Sequence, residues 1–248
     1  MRKFLIVALA ALTALAAAVG IASAQTAGSG SGADVTVTLS PTKAGTKAKP
    51  KPVKINLAVK NQDSSQTADG LKIFQGKNLK VSTKGLKVCS AAKLNANGPS
   101  GCPAGSKVGS GTADAIAGVN TSNPAPLKFN VTAFVIGTQK VGFYLEQQGG
   151  NIRVLTPGVY KKASGGYGSV LDIQIPQLAR EFPPGTFNGL VGLQTSLYKK
   201  VGKHSLYTTN GCPSTRTEPF KVQIHFQNNP NPPKASTVTA TGGADCKK

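Results

Sequence analysis

The 248-residue chain contains nine carboxylates and two histidines as the groups able to move protons near neutral pH. Glycoside hydrolysis needs two carboxyls facing each other across the scissile bond. Glu146, Asp172 and Glu181 lie in or beside strand-like runs and are the candidates for such a pair. Strand alternation argues against it. With Leu171, Ile173 and Ile175 inward, Asp172 faces out beside Gln174, and Glu146 points away from Phe143 and Leu145. These carboxylates read as solvated strand charges. His204 sits in a lysine-rich loop and His225 on the polar side of the last long strand; neither has a sequence neighbour at metal-ligand spacing, so a zinc site would need the fold to bring Cys212 to one of them. There is no G-x-S-x-G nucleophile turn, and Gly105-Ser106-Lys107 reverses the order a phosphate-binding loop requires. The residue inventory points to a non-catalytic protein with no cofactor and no metal.

The four cysteines carry different chemistry. Between Cys89 and Cys102 lie Asn95, Asn97, Gly98, Pro99 and Gly101, turn residues that build neither helix nor ladder. Twelve intervening residues exclude the C-x-x-C spacing of a redox site or zinc knuckle. A disulfide closing this loop stabilises by roughly 3 kcal/mol in the loop-entropy model. Cys212 and Cys246 are the second expected pair, against the alternative that Cys246, in a polar tail, stays free or joins another molecule.

Charge is the strongest functional signal. The formal net charge is +20, and removing Arg2 and Lys3 with the leader lowers it to +18. A charge of this size attracts polyanions. Lys43, Lys47, Lys49, Lys51 and Lys54 fall in a stretch with no acidic residue between Asp34 and Asp63. They are the candidate anionic-polymer-binding residues, set against the plainer reading of a solvated, soluble surface. Specific nucleic-acid binding is disfavoured, because base stacking wants aromatic side chains among the basic ones and residues 41–60 contain none. Tyr160-Lys161-Lys162 and Tyr198-Lys199-Lys200 are the nearest aromatic-basic combinations and read as strand-end rim.

These residues are positioned by an exported, strand-rich chain. Residues 1–24 have a basic start, an apolar Ala/Leu/Val stretch and the small residues Ala22-Ser23-Ala24. This is a secretory signal, expected to be cleaved before Gln25; the rival reading is an uncleaved anchor. No transmembrane segment is expected in the mature protein. Residues 25–52 read as a Gly/Ser/Pro/Lys linker with a candidate edge strand at 35–39. Residues 53–226 form the domain, and 227–248 a polar tail. Within the domain apolar residues recur at period two, as in Val53, Ile55, Leu57 and Val59 or Phe220, Val222, Ile224 and Phe226. The in-out-in tripeptides Leu71-Lys72-Ile73, Leu79-Lys80-Val81 and Leu86-Lys87-Val88 repeat that pattern, and short turns separate strand-like runs at 127–136, 141–146, 152–160 and 169–175. The only helical candidate after the leader is one turn at 90–94. The expected fold is all-β: an antiparallel β-sandwich, either one large unit or two lobes meeting near 120–126.

The run Cys102-Pro103-Ala104-Gly105-Ser106-Lys107-Val108-Gly109-Ser110-Gly111, preceded by Cys89 and followed by Gly211-Cys212-Pro213, resembles a family of secreted β-domain proteins of high-GC Gram-positive bacteria. The resemblance implies a secreted, envelope-associated β domain and supplies no active-site residues. The expected function is therefore a secreted, non-catalytic binding or structural module with affinity for anionic cell-wall polymers. The alternatives are a carbohydrate-binding or carbohydrate-active protein and, less favoured, a nucleic-acid binder.

Overall fold

A computed structural model describes residues 25–30, 32–227 and 236–248, with side chains described from residue 30 onward. The signal read over residues 1–24 lies outside the described residues. In chain order the strands are β1 (Gln25–Gly30), β2 (Ala33–Ser40), β3 (Lys51–Pro52), β4 (Lys54–Asn61), β5 (Ala68–Gly76) and β6 (Leu79–Val81). Helix α1 (Ala91–Asn97) follows, then β7 (Lys107–Ala117), β8 (Ala125–Gly137), β9 (Lys140–Gln147), β10 (Arg153–Lys162) and β11 (Tyr167–Gln174). After α2 (Gln177–Arg180) come β12 (Asn188–Leu197), β13 (Lys200–Val201), β14 (His204–Ser205), β15 (Tyr207–Thr209), β16 (Thr217–Phe226) and β17 (Ser236–Asp245).

The fold is all-β and antiparallel. Twelve strands are hydrogen-bonded in the order β1-β17-β16-β5-β11-β10-β9-β8-β7-β12-β4-β2, and β1 also pairs with β2, so the order closes on itself. Closure removes the free edges at which an open sheet recruits foreign strands. The period-two pattern is what makes these segments strands: in β2 Ala33, Val35, Val37 and Leu39 are buried while Thr36 and Thr38 are not, and β4 and β16 repeat the alternation. One apolar cluster fills the interior, with Phe220, Phe226, Ile224 and Leu171 among its fully buried side chains. The lobe junction expected near 120–126 falls in one connection: residues 118–124 form the turn between the paired strands β7 and β8, and 125–126 begin β8.

Several sequence expectations need correction. Residues 35–39 are not an edge: β2 bonds to β1 on one side and β4 on the other. The stretch read as a linker supplies β1, β2 and β3, and the stretch read as a tail supplies β17, which pairs with β16 along its whole length. The tripeptide Leu86-Lys87-Val88 is not a strand, because Leu86 is buried while Val88 is 48% exposed. Gly85 turns there with φ 77°, and Cys89 N–H then bonds Val135 C=O at 2.9 Å, carrying the chain onto the outside of β8.

The expected single turn at 90–94 lengthens into α1. Ser90 Oγ accepts from Lys93 N–H at 3.3 Å, capping the start, and Gly98, at positive φ, closes the end through its N–H to Leu94 C=O. Leu94 and the Cys89–Cys102 disulfide then cover Phe134 and Tyr144. That gives the ring a second, smaller apolar cluster on its outer wall. The second disulfide joins Cys212 to Cys246. Two closed disulfides are the signature of an oxidising environment. Among the described residues no helix is long and apolar enough to cross a membrane.

Candidate anion-binding site

Antiparallel pairing gives the ring two ends, and charge is divided between them. One end is built by three excursions, residues 41–53, 77–106 and 198–216, none of which contains Asp or Glu. They contribute Lys43, Lys47, Lys49 and Lys51; Lys77, Lys80, Lys84, Lys87 and Lys93; and Lys199, Lys200, Lys203 and Arg216. Asp63, Asp69, Glu146 and Glu181 fall at or near the opposite end, whereas Glu218 and Asp245, at the paired ends of β16 and β17, lie at the lysine end.

Long-range contacts fold the basic excursions together. Strands β3, β15 and β6 form a three-stranded sheet that joins the three excursions. Residues 43–51 make a tight hairpin in which Thr46 and Lys49 exchange backbone hydrogen bonds of 3.0 and 3.2 Å. Ala44 N–H bonds Lys247 C=O and Lys247 N–H bonds Thr42 C=O, each at 2.8 Å, which brings Lys248 alongside. The Cys212–Cys246 disulfide ties this closing strand to the loop after β15. The result is a groove of about 510 Å³ lined by Lys43, Lys47, Lys49, Lys51 and Lys248 with Asn210 and Gly211. Thus four of the five sequence-selected lysines come together, whereas Lys54 lies in β4 opposite Ser40 and outside the groove.

Two further grooves open at the same end. One of about 470 Å³ is lined by Lys80, Lys84, Lys200, Lys203 and His204, and one of about 450 Å³ by Lys107, Tyr198, Lys199 and Lys200. The sequence reading did not select Lys80, Lys84, Lys107, Lys203 or Lys248. The available signal was the absence of acids from the second and third excursions, as informative as that from the first.

Beneath the cap lies a buried polar network. Tyr207 is fully buried on β15; its hydroxyl accepts from Gln75 Nε2 at 3.0 Å and meets the Tyr160 hydroxyl at 2.6 Å. Ser169 Oγ donates to Gln75 Oε1 at 3.2 Å. Burial pushes the Tyr207 phenol up to about 12 and Tyr160 well above the ordinary tyrosine value, so both are neutral at physiological pH. Glu218 is also buried, accepting from Asn78 N–H at 2.9 Å and Asn78 Nδ2 at 3.1 Å. Burial raises its pKa against the opposing pull of those bonds.

The carboxylates considered for catalysis are engaged separately. Glu146 is 3.8 Å from Arg153, Asp172 is 2.6 Å from Lys161 Nζ, and Glu181 accepts from Gly185 N–H at 2.6 Å. Partial burial works to raise the Asp172 pKa, but hydrogen bonds from Lys161 and Gln174 outweigh it and hold the carboxyl below its ordinary value. The Gly185 N–H and then Gln177 lower Glu181 likewise. His225 Nδ1 is 2.5 Å from Asp69, and Cys212 is bonded to Cys246. Among the described residues no three His, Cys, Asp or Glu side chains are grouped to hold a metal.

A different concavity of about 510 Å³ crosses the outer faces of β2, β4, β12 and β7, where Thr36, Thr38, Asn56, Ser110, Thr112 and Gln194 lie. It has hydroxyls and amides but no aromatic side chain among its lining residues. Comparison with protein-family models, curated proteins and solved structures finds no match to this chain.

Proposed function

We propose that this is a secreted, non-catalytic module, cleaved before Gln25, that binds anionic cell-envelope polymers through its lysine-rich end. The observation that carries the reading is the convergence of three acid-free excursions into adjoining basic grooves at one end of the ring. A random scatter of the same lysines would give a soluble surface. Gathered at one end, they set up a field that orients the molecule toward a negatively charged matrix. The groups are almost all lysines, which act as hydrated point charges rather than as planar bidentate forks. That suits a repeating phosphate or carboxylate chain sampled in many registers better than one small ligand held in fixed geometry. The same reading takes the ring as flattened into two packed layers, the sandwich form expected from the sequence, since a single apolar cluster fills it.

Co-sedimentation with purified cell walls over a salt series tests the proposal. The Debye length shortens from about 10 Å at 0.1 M salt to about 3 Å at 1 M, and displaced counterions make polyanion affinity fall steeply with salt. Binding is expected to fall accordingly. Replacing Lys43, Lys47, Lys49, Lys51 and Lys54 by Gln is expected to lower it further while the far-UV spectrum stays that of a sheet protein. Salt-insensitive binding, with competition by neutral polysaccharide, would instead favour the hydroxyl- and amide-lined face of β2, β4, β12 and β7.

A further inference from the structure

At the end of the ring away from the lysines, several inward positions are small: Ala68 on β5 and Ala113 and Ala115 on β7. The larger Leu127 and Leu145 do not fill the space this leaves. A cavity of about 80 Å³ remains, covered from outside by α2 and the chain that follows it. Its lip carries two large apolar side chains held in water, Leu178 at 51% and Phe182 at 46% exposed. Asp114 also borders the cavity, but strand parity turns its side chain to the other face, since it alternates with the inward Ala113 and Ala115 and lies opposite Lys128.

One polar group does reach in. Asn188, the first residue of β12, shares its side of the strand with Leu190, which packs on the core. Asn188 Nδ2 donates to Ala179 C=O at 3.2 Å, and this bond sets the orientation of the amide. Its Oδ1 is then buried with no hydrogen-bond partner among the described residues. An unpaired buried acceptor is costly. A lone water is a poor remedy, because buried waters need two to four polar partners and, apart from Asp114 with its side chain turned to the other face, the remaining lining side chains are apolar.

We infer that this cavity binds a small neutral alcohol or amide: its O–H or N–H donor bonds Asn188 Oδ1, and its hydrocarbon body leaves between Leu178 and Phe182. The size fits the donor-bearing end of such a molecule, being about half the 150 Å³ that holds a benzene ring. The site lies apart from the lysine grooves and is independent of what they bind.

The test is methyl NMR of the disulfide-intact mature protein titrated with 1-hexanol and, separately, with hexyl methyl ether, which keeps the chain but lacks the donor. Hexanol is expected to give saturable shifts at Leu127, Leu145, Ile152 and Leu190, with the ether about tenfold weaker for want of one hydrogen bond to a buried acceptor. Asn188→Ala should bring hexanol down to the affinity of the ether, and Ala115→Leu should abolish both by filling the space. Absence of a saturable shift in the wild type, or equal affinity for alcohol and ether, overturns the assignment. These two wild-type titrations decide the matter even if neither variant folds.

Discussion

The Tyr207 hydroxyl contacts both Gln75 and Tyr160, and it does so from a fully buried position under the basic cap. Tyr207→Phe keeps the ring and leaves those two partners short of a bond, so it is expected to cost about 1–3 kcal/mol. A shift in the urea midpoint with unchanged slope measures this. Glu218 gives a pH signature at the same end. Its folded pKa is raised, so the proton is held more tightly in the native state than in the unfolded chain. Its contribution is complete below the ordinary glutamate range and is lost as pH rises through the raised value. The stability difference between wild type and Glu218→Gln should therefore move against the wild type as pH rises from about 4 to 7. Asp63, Asp172 and Glu181, with lowered values, add the opposite slope at lower pH in both proteins and cancel in that difference. A difference flat across this range would contradict a buried, proton-holding Glu218. None of this network was legible in the sequence, where Tyr207, Gln75 and Tyr160 are separated by many residues and meet only through strand pairing.

Among the elements, what could be read beforehand follows the size of the inward side chains. Strands β4, β8 and β16 announce themselves by Val, Ile, Leu and Phe at alternate positions. In contrast, β17 reads Ser-Thr-Val-Thr-Ala-Thr-Gly-Gly-Ala-Asp, and its buried positions are filled by Ala240, Gly243 and Ala244. Small inward residues bury little apolar surface and leave almost no periodic signal, so the strand is dictated by its partner β16 rather than by its own composition. The lysine hairpin likewise reads as linker because its supports, Thr209, Lys247 and the Cys212–Cys246 bridge, come from far along the chain. The two disulfides should accordingly act differently. Replacing Cys89 and Cys102 by Ala removes a closure worth about 3 kcal/mol and loosens α1 from the outer wall, leaving the 510 Å³ groove in place. Replacing Cys212 and Cys246 by Ala frees the strand that aligns Lys248 with Lys43, so it should lower polyanion affinity as well as stability. Calorimetry paired with a polyphosphate-binding assay separates the two effects; equal binding by both variants would mean that the second bridge does not shape the groove.

For the molecule as a whole, the proposed polyanion binding depends on where charge lies rather than on how much there is. The +20 total was plain from composition, and one basic stretch was evident at once. That two more acid-free stretches share its end of the ring could not be known without the strand order. The direct test is a pair of variants with identical net charge. In one, Lys43, Lys47 and Lys49 become Gln; in the other, the exposed Lys60, Lys72 and Lys128, on the walls and toward the opposite end, become Gln. Affinity for long-chain polyphosphate at fixed ionic strength is measured for both. The first variant is predicted to bind at least about tenfold more weakly than wild type, consistent with the loss of about three phosphate contacts, and the second to stay within about threefold, the residual long-range effect of net charge. Equal losses in the two variants would contradict a binding end and reduce the interaction to net charge alone.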